Sequence, residues 1–290
     1  MKYLTTGLIC FLGLPVFAQR LSAELFGGIS NYQGDLQESR FTFSQSNASF
    51  GVGLSYQYTN HLSFRGMATF GKIQADDKLN RDSSLIKRNL NFHSNIYDLS
   101  LTGVYDFIDL SEHRFSPYVL AGVAFFHFNP YSTDASGNEV NLRSLTTEGQ
   151  NLPQYPDRKM YSLNQFSIPF GGGVHFAATD KITLGFEIRL HKTFTDYLDD
   201  VSKTYVDQAT LLSVRGQQSV DFAFRGDELE NPLPYPPDGT VRGSPTFKDW
   251  YYFTGLTVNI KLPTGSGDGI FSGGGRHGKT SKLGCPTNVH

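Results

Sequence analysis

The stretch TFTDYLDDVSKTYVD, Thr193–Asp207, places Asp196, Asp199, Asp200 and Asp207 within fifteen positions. Carboxylates at that density can bind a hard cation, share a proton in acid–base chemistry, or hold a loop by accepting backbone N–H groups. A calcium loop needs acidic ligands at alternate positions and a central glycine, and this stretch has neither. Capping of turns is the reading its Asp, Ser and Thr residues support by themselves. The eight histidines are scattered, and no two stand four residues apart as a helical metal pair would. The chain carries no nucleophile elbow, P-loop or Cys-x-x-Cys, and GGGRHG follows no strand–helix context. No catalytic residue, metal ligand or cofactor site is therefore assigned, and the expectation is a protein that is not an enzyme.

What the aspartates do depends on the elements that hold them. The first residues, MKYLTTGLICFLGLPVFAQ, have the layout of a cleaved secretory signal with the cut after Ala18, so residues 1–18 are set apart. The remaining chain has a single cysteine, Cys285, which excludes an internal disulfide. Net charge is −2 and gives no case for nucleic acid. Mean hydropathy is −0.30, yet the chain holds 24 Phe, 15 Tyr and 30 Gly. Membrane β-barrels combine these properties, because only every second residue of a strand meets lipid.

Alternation is the main signal. In NASFGVGLSYQY, Phe50, Val52, Leu54, Tyr56 and Tyr58 share one face, and Ser49, Gly51, Gly53, Ser55 and Gln57 the other. The same pattern recurs in LSFRGMATF, IYDLSLTGVYDF, NQFSIPFGGGVHFAA, KITLGFEIRLH and DWYYFTGLTVNIKL, with weaker versions in SAELFGGIS and PYVLAGVAFFHF. That makes eight strands, each of about 9–11 residues, enough to cross a bilayer at a tilt. Short links (TNH, DLSEHR, ATD) alternate with long ones. The expected fold is all-β: an eight-stranded antiparallel transmembrane barrel over residues 19–264, with long extracellular loops and a flexible periplasmic tail over residues 265–290. Both termini would then be periplasmic, in the outer membrane. Arg65, Asp98, Asp106, Glu187, Arg189 and Lys261 fall on the polar face and are expected to pair inside and plug the barrel, with the rims as the other place for some of them. The longest loop, about 192–248, is expected to be irregular around NPLPYPPDG. The tail is glycine-rich and basic; it is either a tether to a periplasmic partner or a disordered end.

FGGISNYQGDL, GVGLSYQY and TDYLDDVSKTYVD, in that order, resemble the PorG-like outer-membrane barrels of Bacteroidota, over nearly the whole chain after the signal. The residues carrying the resemblance most specifically are Asn31, Tyr32, Gly34, Asp35, Thr195, Asp196, Tyr197, Asp199 and Asp200. The resemblance implies a component of the type IX protein secretion system that anchors or organises a periplasmic ring. Its expected partners are the ring lipoprotein and outer-membrane lipid. Cys285 is the candidate for a disulfide to that lipoprotein, and Arg276, Lys279 and Lys282 for attraction to an acidic face. The alternative is a passive structural or adhesive barrel.

Overall fold

Alternating side chains leave a strand with two unlike faces, and a sheet of such strands can bury its polar edges only by closing on itself. In a computed structural model of the chain, described over residues 20–37, 39, 42–134 and 136–263, the strands do close. β1 (Leu21–Gln33), β2 (Asn47–Gln57), β3 (Leu62–Asp76), β4 (Asn91–Asp106), β5 (Phe115–His127), β8 (Asn164–Ala177), β9 (Ile182–Thr193) and β10 (Trp250–Lys261) form an antiparallel barrel of eight strands in chain order. β1 pairs with β10, Ser22 opposite Lys261 and Gln33 opposite Trp250, and this joins the two ends of the sheet. β6 (Pro130–Thr133) and β7 (Glu139–Asn141) are a hairpin that extends β4 beyond the barrel.

The connections segregate. Residues 58–61, 107–114 and 178–181 make short turns at one end. Residues 34–46, 77–90, 128–163 and 194–249 make long loops at the other. The outer face is apolar all round: Phe50, Leu99, Val123, Phe166 and Leu256 are each 62–65 % exposed. A belt of that extent is unfit for water and suited to hydrocarbon.

Two features depart from the expectation. The strands run to 11–16 residues, and their long-loop ends continue past the apolar belt into the cap above the barrel. The loops are also not irregular throughout. Helices α1 (Ser83–Arg88), α2 (Leu142–Leu145), α3 (Gln208–Arg215) and α4 (Gln217–Ala223) lie within them. α1 ends on Asn89 in the left-handed conformation (φ 60°), where a short polar side chain is tolerated. Asp207 caps α3 by accepting from the Thr210 N–H at 2.8 Å. Leu152, Val206, Leu211, Val220 and Ala223 give the cap an apolar core of its own, while NPLPYPPDG has no regular structure.

Candidate functional site

The barrel interior is filled in layers. At the short-turn end lies a polar cup of about 670 Å³, lined among others by Ser22, Ser55, Asp106, His175, Asn259 and Lys261. His175 Nδ1 stands 2.8 Å from Asp106 Oδ1 and its ring stacks on Tyr118 at 3.9 Å. The floor of the cup is an ion cluster. Arg65 Nη1 donates to Glu24 Oε1 at 2.8 Å and to Glu187 Oε2 at 2.6 Å, and the Tyr118 hydroxyl donates to Glu187 Oε2 at 2.9 Å. Arg189 follows two residues on along β9. It donates to Thr69 Oγ1 at 2.9 Å and lies 5.6 and 5.2 Å from the ring centres of Phe26 and Phe253. Arg65, Glu24, Glu187 and Arg189 are all buried, so each charge depends on the others for the solvation it has lost.

Above this layer Ser167, His191 and Asp98 meet, the residue set of an acyl-transfer triad. Their geometry is not that of a relay. Ser167 Oγ is 3.2 Å from His191 Nδ1, and Asp98 Oδ2 is 3.5 Å from the same nitrogen, while Nε2 has no partner. A triad needs hydroxyl and acid on opposite ring nitrogens. Tyr251 completes the group: it donates to Asp98 Oδ2 at 2.9 Å and stacks on His191 at 4.4 Å. All four residues are buried. The group packs the barrel interior.

Of the six charges read as interior, Arg65, Glu187, Arg189 and Asp98 lie deep, Asp106 lies on the wall of the cup, and Lys261 faces the same space at its open end, exposed to solvent. Sequence reasoning missed Glu24, Tyr118 and Tyr251. Glu24 sits on the polar face of a weak strand. The two tyrosines are inward-facing aromatics in strands where both faces are aromatic or apolar, so hydropathy alternation hides them.

The second site is a knot in the cap, and it gathers the residues that carry the family resemblance. Asn31 bonds Thr42 O and Ser46 Oγ and closes the first long loop. Tyr32 Oη donates to Asp199 Oδ2 at 2.5 Å and lies 3.4 Å from Asp249 Oδ1. Gly34 passes so close to Asp249 Oδ1 and Tyr32 Oη that a β-carbon there would overlap both. Asp35 accepts from Ser244 N through Oδ2, and its carbonyl accepts from Arg88 Nη2. Asp199 Oδ1 accepts from Val201 N, Asp249 Oδ2 from Leu198 N, and Thr195 Oγ1 from Tyr197 N. Asp200 (φ 65°) accepts from the Thr147 and Tyr161 hydroxyls, and Tyr197 stacks on Tyr161 at 4.6 Å. Arg242 ties Glu148 to the Asp200 carbonyl; Arg88 is bound by both oxygens of Asp77. Four long loops are thus joined at one place.

The knot holds more acid than base. Asp35, Asp77, Glu148, Asp196, Asp199, Asp200 and Asp249 face Arg88 and Arg242. Burial raises the Asp200 carboxyl to about 6 and Asp196 to about 7, and pushes Asp199 and Asp249 well above the carboxylate range. Asp196 is 2 % exposed and its oxygens make no close hydrogen bond; the nearby Ser202 hydroxyl offsets only part of the cost of burying it. Turn capping therefore describes Asp199 and Asp207 but not Asp196 or Asp200. Among the described residues, no three His, Cys, Asp or Glu side chains converge as a metal site. Cys285, Arg276, Lys279, Lys282 and the signal of residues 1–18 lie outside the described residues.

The model of a family described as a domain of unknown function, DUF6089, matches residues 2–229. Among curated proteins none matches the chain. Solved structures do. Neisserial surface protein A (NspA) is 12 % identical, with 83 % of this chain and 97 % of that one covered and a TM-score of 0.41. The outer membrane protein OprG of Pseudomonas aeruginosa is 9 % identical, with 84 % and 98 % covered and a TM-score of 0.39. The outer membrane enzyme PagL is 14 % identical, with 83 % and 99 % covered and a TM-score of 0.30. Similarity at these identities concerns the fold alone.

Proposed function

We propose, from the premise that the chain belongs to the DUF6089 family, that it is an outer-membrane anchor: a barrel that neither conducts nor catalyses and that holds a periplasmic partner at its short-turn end. The observation that carries this reading is the filled interior. Between the cup and the cap the barrel is crossed by the Arg65–Glu24–Glu187 cluster and then by the Asp98–His191–Tyr251 group. A pore lacks such layers, and a catalyst working inside the barrel would need a substrate path that they occupy. The apolar belt supports a membrane setting. The division into short turns and long loops supports an orientation with the turns and both termini in the periplasm.

The finer reading is a component of the type IX protein secretion system that anchors or organises its periplasmic ring. It draws on the resemblance to PorG-like barrels, whose most specific residues meet in the one knot that shapes the cap. The working surface is the short-turn end together with residues 265–290, and Cys285 forms a disulfide to the ring lipoprotein. Deleting residues 265–290 tests the role: secretion should fail while the barrel inserts normally. Normal secretion by the truncated chain would refute it. Cys285→Ser tests the covalent link, since the high-mass species on a non-reducing gel should disappear. A passive adhesive barrel is the second reading, favoured by Phe43, Val241 and Phe247 standing 74–76 % exposed in the long loops. It predicts that the tail deletion has no effect.

A further inference from the structure

Strand register sets the outer wall of β2–β5 in rows. Phe50, Phe70, Tyr97 and His127 stand side by side, and the next row toward the short turns is Val52, Ala68, Leu99 and Phe125. Ala68 is the small member of its row. The wall is dented there, in a groove of about 510 Å³ flanked by Phe50, Phe70, Tyr97 and Phe125. Two residues beyond Phe70 on the same face of β3 is Lys72, paired in the ladder with Asn95. Its ammonium lies 5.4 Å from the ring centre of Tyr131. His93 and His127 stand near the same level, bonded to Gln74 and Asn164. The acid on this face of β3, Asp76, is four residues farther out. A lysine and amide donors therefore stand at the head of an apolar groove, at the upper edge of the apolar belt.

We infer that this groove is a lipid site and that its occupant is a phosphorylated glycolipid of the outer leaflet. One acyl chain fills the dent over Ala68, and a phosphate rests against Lys72. Lipid tails are alike to a barrel wall, so tail burial by itself selects nothing. Selection comes from the head group, and Lys72 is the complementary charge. The inference rests on the outward orientation of the long loops given under Proposed function, because that orientation places the groove in the outer leaflet.

The full chain, extracted in mild detergent, is weighed by native mass spectrometry with its retained lipids. It is then stripped and offered a lipid A-type phosphorylated glycolipid, phosphatidylglycerol or phosphatidylcholine. One glycolipid per barrel should be retained in preference to either phospholipid. Lys72→Gln should lower its retention about fivefold, the effect of one cation at a membrane surface. Ala68→Phe should lower it by filling the dent. Heat-modifiable migration identifies folded variants; should Ala68→Phe not fold, Lys72→Gln decides the matter. Equal retention of glycolipid and phosphatidylglycerol would mean a general lipid annulus, and unchanged retention in the variants would mean a different site; either overturns the inference. Protease shaving of the long loops on intact cells separates the two readings. Loops cut only in broken cells defeat the orientation and the lipid site together. Loops cut on intact cells, with no preference for glycolipid, defeat the lipid site alone.

Discussion

Tyr32 has one proton to give and stands between the carboxylates of Asp199 and Asp249. With both acids ionised, at least one would face it without a donor; protonation of one carboxyl supplies the missing hydrogen. The raised proton affinity of Asp199 and Asp249 follows first from burial and then from the neighbouring carboxylates, Asp35 for Asp199, and Asp199 and Asp196 for Asp249. Tyr32→Phe should destabilise the cap by about 1–3 kcal/mol, the cost of leaving a buried acceptor unmet, measured as faster amide exchange in residues 194–202. Gly34→Ala should do the same by forcing Tyr32 and Asp249 apart. The pH dependence has a definite sign. A carboxyl raised by folding binds its proton more tightly in the native state. Its stabilising effect is therefore complete below about pH 4, the ordinary carboxylate value. It is lost as pH rises through about 6 for Asp200 and about 7 for Asp196. The cap should be cut by protease more slowly at pH 5 than at pH 8. Asp196→Asn should flatten that difference and stabilise the cap at pH 8 by about 1–2 kcal/mol.

At the scale of elements, Arg65 on β3 binds Glu24 on β1 and Glu187 on β9, so one side chain ties three strands across the barrel. Arg65→Met would leave buried Glu24 without a cation and Glu187 with Arg189 alone, at 3.7 Å, and should cost about 3–5 kcal/mol, read from urea unfolding in lipid vesicles. Adding Glu24→Gln should recover part of that loss, because it removes the carboxylate left without a cation, while Glu187 stays charged opposite Arg189 at 3.7 Å. The strands themselves were legible in the sequence. Outward Phe50, Val52 and Leu54 against inward Ser49, Gly51 and Gly53 need only the period of two. The upper halves of the strands were less legible. There the inward residues Tyr32, Ile73, Phe92, Phe126 and Phe253 are as apolar as the lipid face, because they belong to a core shared with Leu198, Val201 and Phe222 of the loops. Where both faces are buried, alternation disappears.

At the scale of the molecule, the Arg65 and Asp98 layers lie between a cup at the short-turn end and a cap over the far end, which gives the barrel two unlike surfaces. In planar lipid bilayers the protein should show no conductance steps. Replacing residues 194–249 with a short linker should still give no steps, since the Arg65 and Asp98 layers lie within the strands; steps in that variant would mean that the cap, and not the interior, is the seal.

Strand number, the alternation of short and long connections, and the division of residues between a lipid face and an interior are all set by local periodicity, and the sequence alone determined them. The aspartates of TDYLDD announced themselves as a cluster, yet nothing local could say what they face. Asp199 meets Tyr32 across 167 positions of chain, and Arg65 meets Glu187 across 122. Which charges pair, which carboxyls hold protons, and whether Ser167, His191 and Asp98 form a relay or a packed core depend on distances of an ångström between remote residues. Only closure of the barrel sets those distances, so the tertiary structure decided them.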